Sequence, residues 1–210
     1  MTTSKSKRDN NVLRWRDITG PLLAFLSDAE VSEKELKKDD SQFHRRAFVR
    51  SLFAMIEGTI HVIKFVSLHA ASIRPKMFSL GEFTLLKEQS YSINGKGEAY
   101  AQKKFIRTED NLKFVVRCLN RFVPRQVDLA VGGEDWNNFC EAIKIRNRIT
   151  HPRAAADLHV FDEETELMKN VQGWFLEIPA VLTSLVSTDA DQLATEGITM
   201  SVESEKTRCR

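Results

Sequence analysis

Seven consecutive residues, Arg146, Asn147, Arg148, Ile149, Thr150, His151 and Pro152, hold the side chains best suited to chemistry on a phosphate. An arginine grips phosphate oxygens through its planar fork, and a histidine gives or takes a proton near neutral pH. Those two groups suffice for metal-free RNA cleavage. In that reaction the ribose 2′-hydroxyl attacks the adjacent phosphorus, an imidazole moves the proton, and a guanidinium offsets the charge gathering on the phosphoryl oxygens. Lys144, Arg148 and Arg153 surround the set as a basic seat for an anion, and they join Arg146, Asn147 and His151 as candidate site residues. By residue type alone, an arginine and a histidine at a helix end serve equally well as a structural cap and a surface charge.

The helix that must position these residues is bounded by Gly132-Gly133 before Glu134 or Asp135 and by Pro152 after Thr150. Trp136, Phe139, Cys140 and Ile143 follow the spacing of an inward face. Continuing that face at about 100° per residue places Asn147 near its centre, with Arg146 and His151 on either side. Burying such a set without partners costs several kcal/mol, so the segment is expected to face a cleft or a second chain. Ile145 and Ile149 on the other side predict a helix buried nearly all round.

Around it the pattern is helical. Val12 to Lys38 reads as two segments broken at Gly20-Pro21. The strongest helix spans about Ser41 to Ala71, with an apolar arc of Phe48, Val49, Leu52, Phe53, Ile56, Ile60, Ile63 and Val66 broad enough for burial on several sides, and Arg74-Pro75 ends it. A short helix is predicted at Gly81 to Gln89, then a small hairpin at 91–101 turning on Asn94-Gly95, a dipeptide suited to the positive φ of a type I′ turn. Thr108 reads as the N-cap of a helix burying Leu112, Val115, Val116, Leu119 and Phe122 and ending at Pro124. A last helix from about Asp162 to Val186 has Pro179 as a kink point. The fold class is therefore all-α, a bundle of four to five main helices with one hairpin, occupying residues 12–186. Residues 1–11 and 187–210, rich in Ser, Thr and charge, are expected to be disordered.

Other features narrow the chemistry. Net charge is only +2, from 31 basic and 29 acidic residues, so any RNA contact has to come from a local patch. The three cysteines, Cys118, Cys140 and Cys209, fit neither a disulfide framework nor a zinc-ligand spacing, and Cys118 and Cys140 read as core packing. No metal site, Gly-rich phosphate loop, cofactor, membrane span or secretory signal is predicted, and a cytoplasmic location follows as the expectation. Glu57 shares a face with Val49, Phe53 and Ile60, four residues before His61. It either holds Arg146 across the bundle, as part of the substrate-binding set, or forms a structural ion pair. Arg45, Arg46 and Arg50 are a solvated helix face or an RNA backbone contact. His159, six residues after Arg153, is a rival to His151, while His44 and His69 read as surface or capping groups.

The run from Arg146 to Pro152 resembles the R-polar-x-x-x-H signature of HEPN domains, at the end of a bundle helix where that family carries it. The apolar-rich helix from Phe43 to Ala70 with Glu57 inside it, and the all-helical order, also resemble HEPN proteins over about Val12 to Val186. The resemblance implies a HEPN-like helix bundle that pairs as a homodimer, so that two Arg and two His meet at one composite cleft. It further implies a metal-independent endoribonuclease acting on RNA, of the kind found in toxin and antiviral systems, with an antitoxin protein as partner in the former case. On this sequence His151 becomes general acid or base, Arg146 the phosphate clamp, and Asn147 the residue that orients His151 or the substrate. Some members do not cleave, which leaves a non-catalytic module for RNA or nucleotide binding, or for dimerisation, as the alternative.

Overall fold

The computed structural model describes residues 15–185, in which helix predominates around one two-stranded antiparallel sheet. The ends expected to be disordered, and Cys209, lie outside the described residues. The first helix, α1 (Trp15–Lys38), runs straight through Pro21, where Gly20-Pro21 predicts a break. The proline removes one donor, to the Asp17 carbonyl, but Leu22, Ala29 and Leu36 beyond it are buried where α1 packs along the next helix. Tertiary burial thus overrides the local defect.

That next helix, α2 (Gln42–Ile73), begins at the N-cap Ser41 and stops at Arg74 before Pro75, as predicted. Its apolar arc is buried on several sides, against α1 and the helices that follow. By length and hydropathy α2 could cross a membrane, yet 67% of its apolar window is buried within the protein, the requirement of a central bundle helix. Gly58 makes room for the Phe25 ring of α1, because a Cβ there would overlap that ring.

A short helix, α3 (Leu80–Leu86), is opened by a capping box between Ser79 and Glu82. Glu82 also takes a paired salt bridge from Arg121, which pulls its carboxyl down to about 2 and pins α3 to the end of α4 (Thr108–Leu119). Between them lie β1 (Gln89–Ile93) and β2 (Ala99–Lys103), paired from Gln89 opposite Lys103 to Ile93 opposite Ala99. The hairpin exists where expected, but its turn is not the two-residue Asn94-Gly95 type. Asn94 instead heads a longer loop, its Oδ1 accepting from the N–H groups of Lys96 and Glu98, and Gly97 takes the positive φ of +79°. Lys64 of α2, only 2% exposed, reaches Glu88 at 2.8 Å and ties the base of the hairpin to the bundle.

Helix α4 starts one residue earlier in capping terms than predicted: Arg107 is the N-cap and Thr108 is already helical. It ends at Leu119, well before Pro124, with Asn120 as the C-cap, whose side chain bonds both backbone groups of Val127. Helix α5 (Glu134–Thr150) has the predicted bounds. Helix α6 (Asp162–Phe175) is interrupted at Leu176 and resumes over residues 177–185. Pro179 accounts for the break, since it offers no N–H to the Phe175 carbonyl. Trp136 and Phe139 of α5 pack on Trp174 of α6, with ring centroids 6.4 and 5.6 Å apart. Burial pushes the Cys118 thiol up to about 11, consistent with inert packing.

Gly58→Ala is expected to lower stability. Alanine gains up to about 1 kcal/mol in helix propensity, but overpacking of this kind costs about 1–3 kcal/mol. Urea denaturation checks the sign, and Phe25→Ala in the same chain should remove the penalty. Acid offers a second test. The depressed Glu82 carboxyl contributes stability that is complete above the unfolded-state value of about 4.3 and is lost as pH falls toward 2. Glu82→Gln should therefore flatten the stability profile in that acid window.

Candidate functional site

The inward face of α5 is not the one that the spacing predicts. Trp136, Phe139, Ala142, Ile145 and Ile149 are buried, whereas Cys140 and Ile143 are only half-buried. Ala142, too small to stand out in the sequence, turns the stripe toward Ile145 and Ile149. Asn147, Thr150 and His151 therefore point outward and are exposed, and Arg146 sits half-buried at the edge of the core. The motif does not interrupt a buried stripe; it lies beside one, facing an open cleft of about 660 Å³.

Arg146, Asn147, Arg148, His151, Arg153 and Asp157 line that cleft, together with Phe105 from the β2–α4 connection. The Arg146 guanidinium lies over the Phe53 ring at 5.1 Å, forms an ion pair with Glu57, and donates to Asn147 Oδ1 at 2.9 Å. Burial lowers the pKa of Arg146, but a guanidinium keeps its proton near neutrality even so. The neighbouring carboxylate acts in the opposite direction, favouring the charge. Two of the guanidinium's nitrogens are engaged in these bonds, and their remaining N–H groups can still meet a phosphate. His151 is the C-cap of α5, its N–H donating to the Asn147 carbonyl at 2.9 Å, and Pro152 stops the helix there. The imidazole is thus carried at the rim of the cleft, free of the core.

The other expected site residues divide. Arg153 lines the cleft, and its side chain makes no ion pair among the described residues. Lys144 is spent on Glu141 at 2.6 Å and is absent from the lining, because seven residues of helix put it about 10 Å along the axis from His151. Arg148 reaches the cleft wall but is a structural clamp. It holds both oxygens of Glu164 at 2.7 Å and donates to the carbonyls of Asp157 and His159. Glu57 proves to be the partner of Arg146, which is the role the sequence left open; as an anion it is unsuited to contact phosphate directly. His159 is exposed, packs edge-on against Phe161 at 4.7 Å and does not line the cleft.

Two lining residues escaped the sequence reading. Asp157 caps the turn after the motif by accepting from the N–H groups of Arg153 and Ala154, which hold its carboxyl below the usual range. Its place three residues after Ala154, past a proline, was a legible signal for such a cap. Phe105 gave no periodic signal at all, since it falls in an irregular connection. Among the described residues no three His, Cys, Asp or Glu side chains gather closely enough to hold a metal ion. Comparison with family models, curated proteins and solved structures gave no match.

Because Arg148 joins α5 to α6 and to the segment between them, Arg148→Ala should cost about 2 kcal/mol of stability, the scale of charge-assisted hydrogen bonds left unmade. Arg153→Ala, with no such bonds, should stay within about 0.5 kcal/mol of the parent. Equal losses in thermal denaturation would contradict the distinction.

Proposed function

We propose that this chain is a metal-independent endoribonuclease of HEPN type that works as a homodimer. The observation that carries the reading is the convergence of Arg146, Asn147 and His151 on one open cleft at the end of α5, with Arg146 already oriented by Glu57 and Phe53. A preset guanidinium stabilises developing phosphoryl charge without reorganising during the reaction. An exposed imidazole within the same cleft supplies proton transfer to or from the 2′-hydroxyl or the leaving oxygen. The all-helical architecture and the hairpin are compatible with the family resemblance but carry less weight than the cleft. A role as a toxin or defence component belongs to the same proposal.

A second reading is favoured by one feature. Glu57 offsets part of the positive charge that Arg146 can offer a developing phosphoryl anion while leaving N–H groups free for a ground-state phosphate, which suits a module that binds RNA or a nucleotide and does not cut it. Activity separates the two. The purified full chain should cleave single-stranded RNA in the presence of chelator and leave 2′,3′-cyclic phosphate ends. His151→Ala and Arg146→Ala should each slow cleavage by about 100-fold or more. A His151→Ala protein that cuts as fast as the parent overturns the assignment of that residue. A parent with no turnover whose RNA binding is lost in Arg146→Ala supports the binding module.

A further inference from the structure

Phe105 is 86% exposed, in the four-residue connection between β2 and α4, although burying a phenylalanine side chain is worth about 1.5–3 kcal/mol. Isolated exposed apolar residues need no explanation, but this one stands on the wall shared by two cavities. One is the motif cleft. The other, of about 620 Å³, lies against α2 and the start of α4 and is lined by His61, Lys103 and Lys104 among others. Both are of a size that accepts a small organic group.

The charge around Phe105 is biased. Each carboxylate lining the two cavities is already engaged: Glu57 with Arg146, Glu88 with Lys64, and Asp157 with backbone N–H groups. Lys103, Lys104 and Arg153 line the same cavities and make no ion pair among the described residues. An unpaired aromatic face thus has cations on both sides that no ion pair or side-chain hydrogen bond holds, with Lys103 and Arg153 near enough to Glu88 and Asp157 to act on them through space. A single nucleic-acid strand has this chemistry in complement, with a π-face on every base and a phosphate between successive nucleosides.

We propose that Phe105 is a stacking platform for a base of single-stranded RNA, with the strand's phosphates running from Lys103 and Lys104 on one side to Arg146 and Arg153 on the other. This rests on the RNA reading above and adds the residue that holds a base and the path of the strand across the site. In a duplex the base faces are occupied by their neighbours, so the platform selects unpaired strands. It also brings a nucleotide next to His151 and Arg146 in a fixed register, which makes Phe105 a substrate-positioning residue.

The test uses the full chain and a short 2′-O-methyl oligonucleotide, which cannot be cut by 2′-hydroxyl attack, at low salt. A strand of equal charge carrying abasic sites is the control. Phe105→Ala should weaken binding of the base-bearing strand by about ten-fold, the loss of one base–aromatic stack. Phe105→Trp should keep it, and the abasic strand should bind parent and Phe105→Ala alike. Sedimentation of each protein should show one oligomeric state. If the parent binds the base-bearing strand and Phe105→Ala binds it equally well, the platform is wrong while the RNA reading stands. If Phe105→Ala changes the oligomeric state, the residue belongs to a contact between copies and the platform is again overturned. If the parent binds neither strand, the RNA reading and the platform fail together.

Discussion

Gln42 bonds both backbone groups of Val160, its side-chain amide donating to the carbonyl and its side-chain oxygen accepting from the N–H, each at 2.8 Å. Val160 is fully buried, so these groups have no water to turn to, and an unpaired buried amide costs about as much as a lost hydrogen bond. The pairing is one part of a wider strap. Arg148 takes the carbonyls of Asp157 and His159, Arg46 that of Leu158, and Arg45 joins Gln42 on that of Val160. Four successive carbonyls, from the 3-10 turn at Ala155–Leu158 and the two residues after it, are satisfied by side chains of α2 and α5. The segment's own bonds are only those of that one short 3-10 turn and its Asp157 cap, so these side chains are what fasten the cleft wall after Pro152 to the bundle.

That strap accounts for the fate of several basic residues that look, in sequence, like an RNA-binding surface. Arg45 also pairs with Asp40 and Asp162, and Arg148 with Glu164. Arginine suits this work because its planar fork reaches a carboxylate and carbonyls together, which lysine does not match. Their positive charge is largely neutralised at the start of α2 and α6. What remains for a ligand is a smaller set around the motif, consistent with a chain whose overall charge is close to balanced.

The helical class, the span of α2 with its Ser41 cap and Pro75 stop, and the span of α5 were legible because each rests on local chemistry: an N-cap, a proline, an apolar arc or a pair of glycines. Errors arose where tertiary packing decides. α1 passes through Pro21 because Leu22 and Ala29 are buried on α2, a fact absent from the local pattern. The rotation of α5 was misread because Ile143 is the stronger apolar signal while the small Ala142 is the residue that is buried, and the choice between them moves Asn147 from core to surface. The pairing of Glu57 with Arg146 was visible as one of two options, since an acid on an apolar face demands a cation. Phe105 was invisible because no periodicity governs an irregular connection.

The contents of the cleft also bear on how many copies the proposed reaction needs. Attack by a 2′-hydroxyl requires that one proton be taken and another be given to the leaving oxygen. One chain places a single imidazole there, at His151. Asp157 is held by two backbone N–H groups, which favour its ionised form and make it a poor proton donor near neutrality, and Glu57 is taken up by the Arg146 guanidinium. Asn147 and the arginines do not exchange protons in that range. In the proposed homodimer a second His151, brought across a two-fold axis, would supply the missing partner without any new residue. The outward turn of Asn147, Thr150 and His151 is what leaves them available for such a meeting, and a motif buried in its own bundle would not have been.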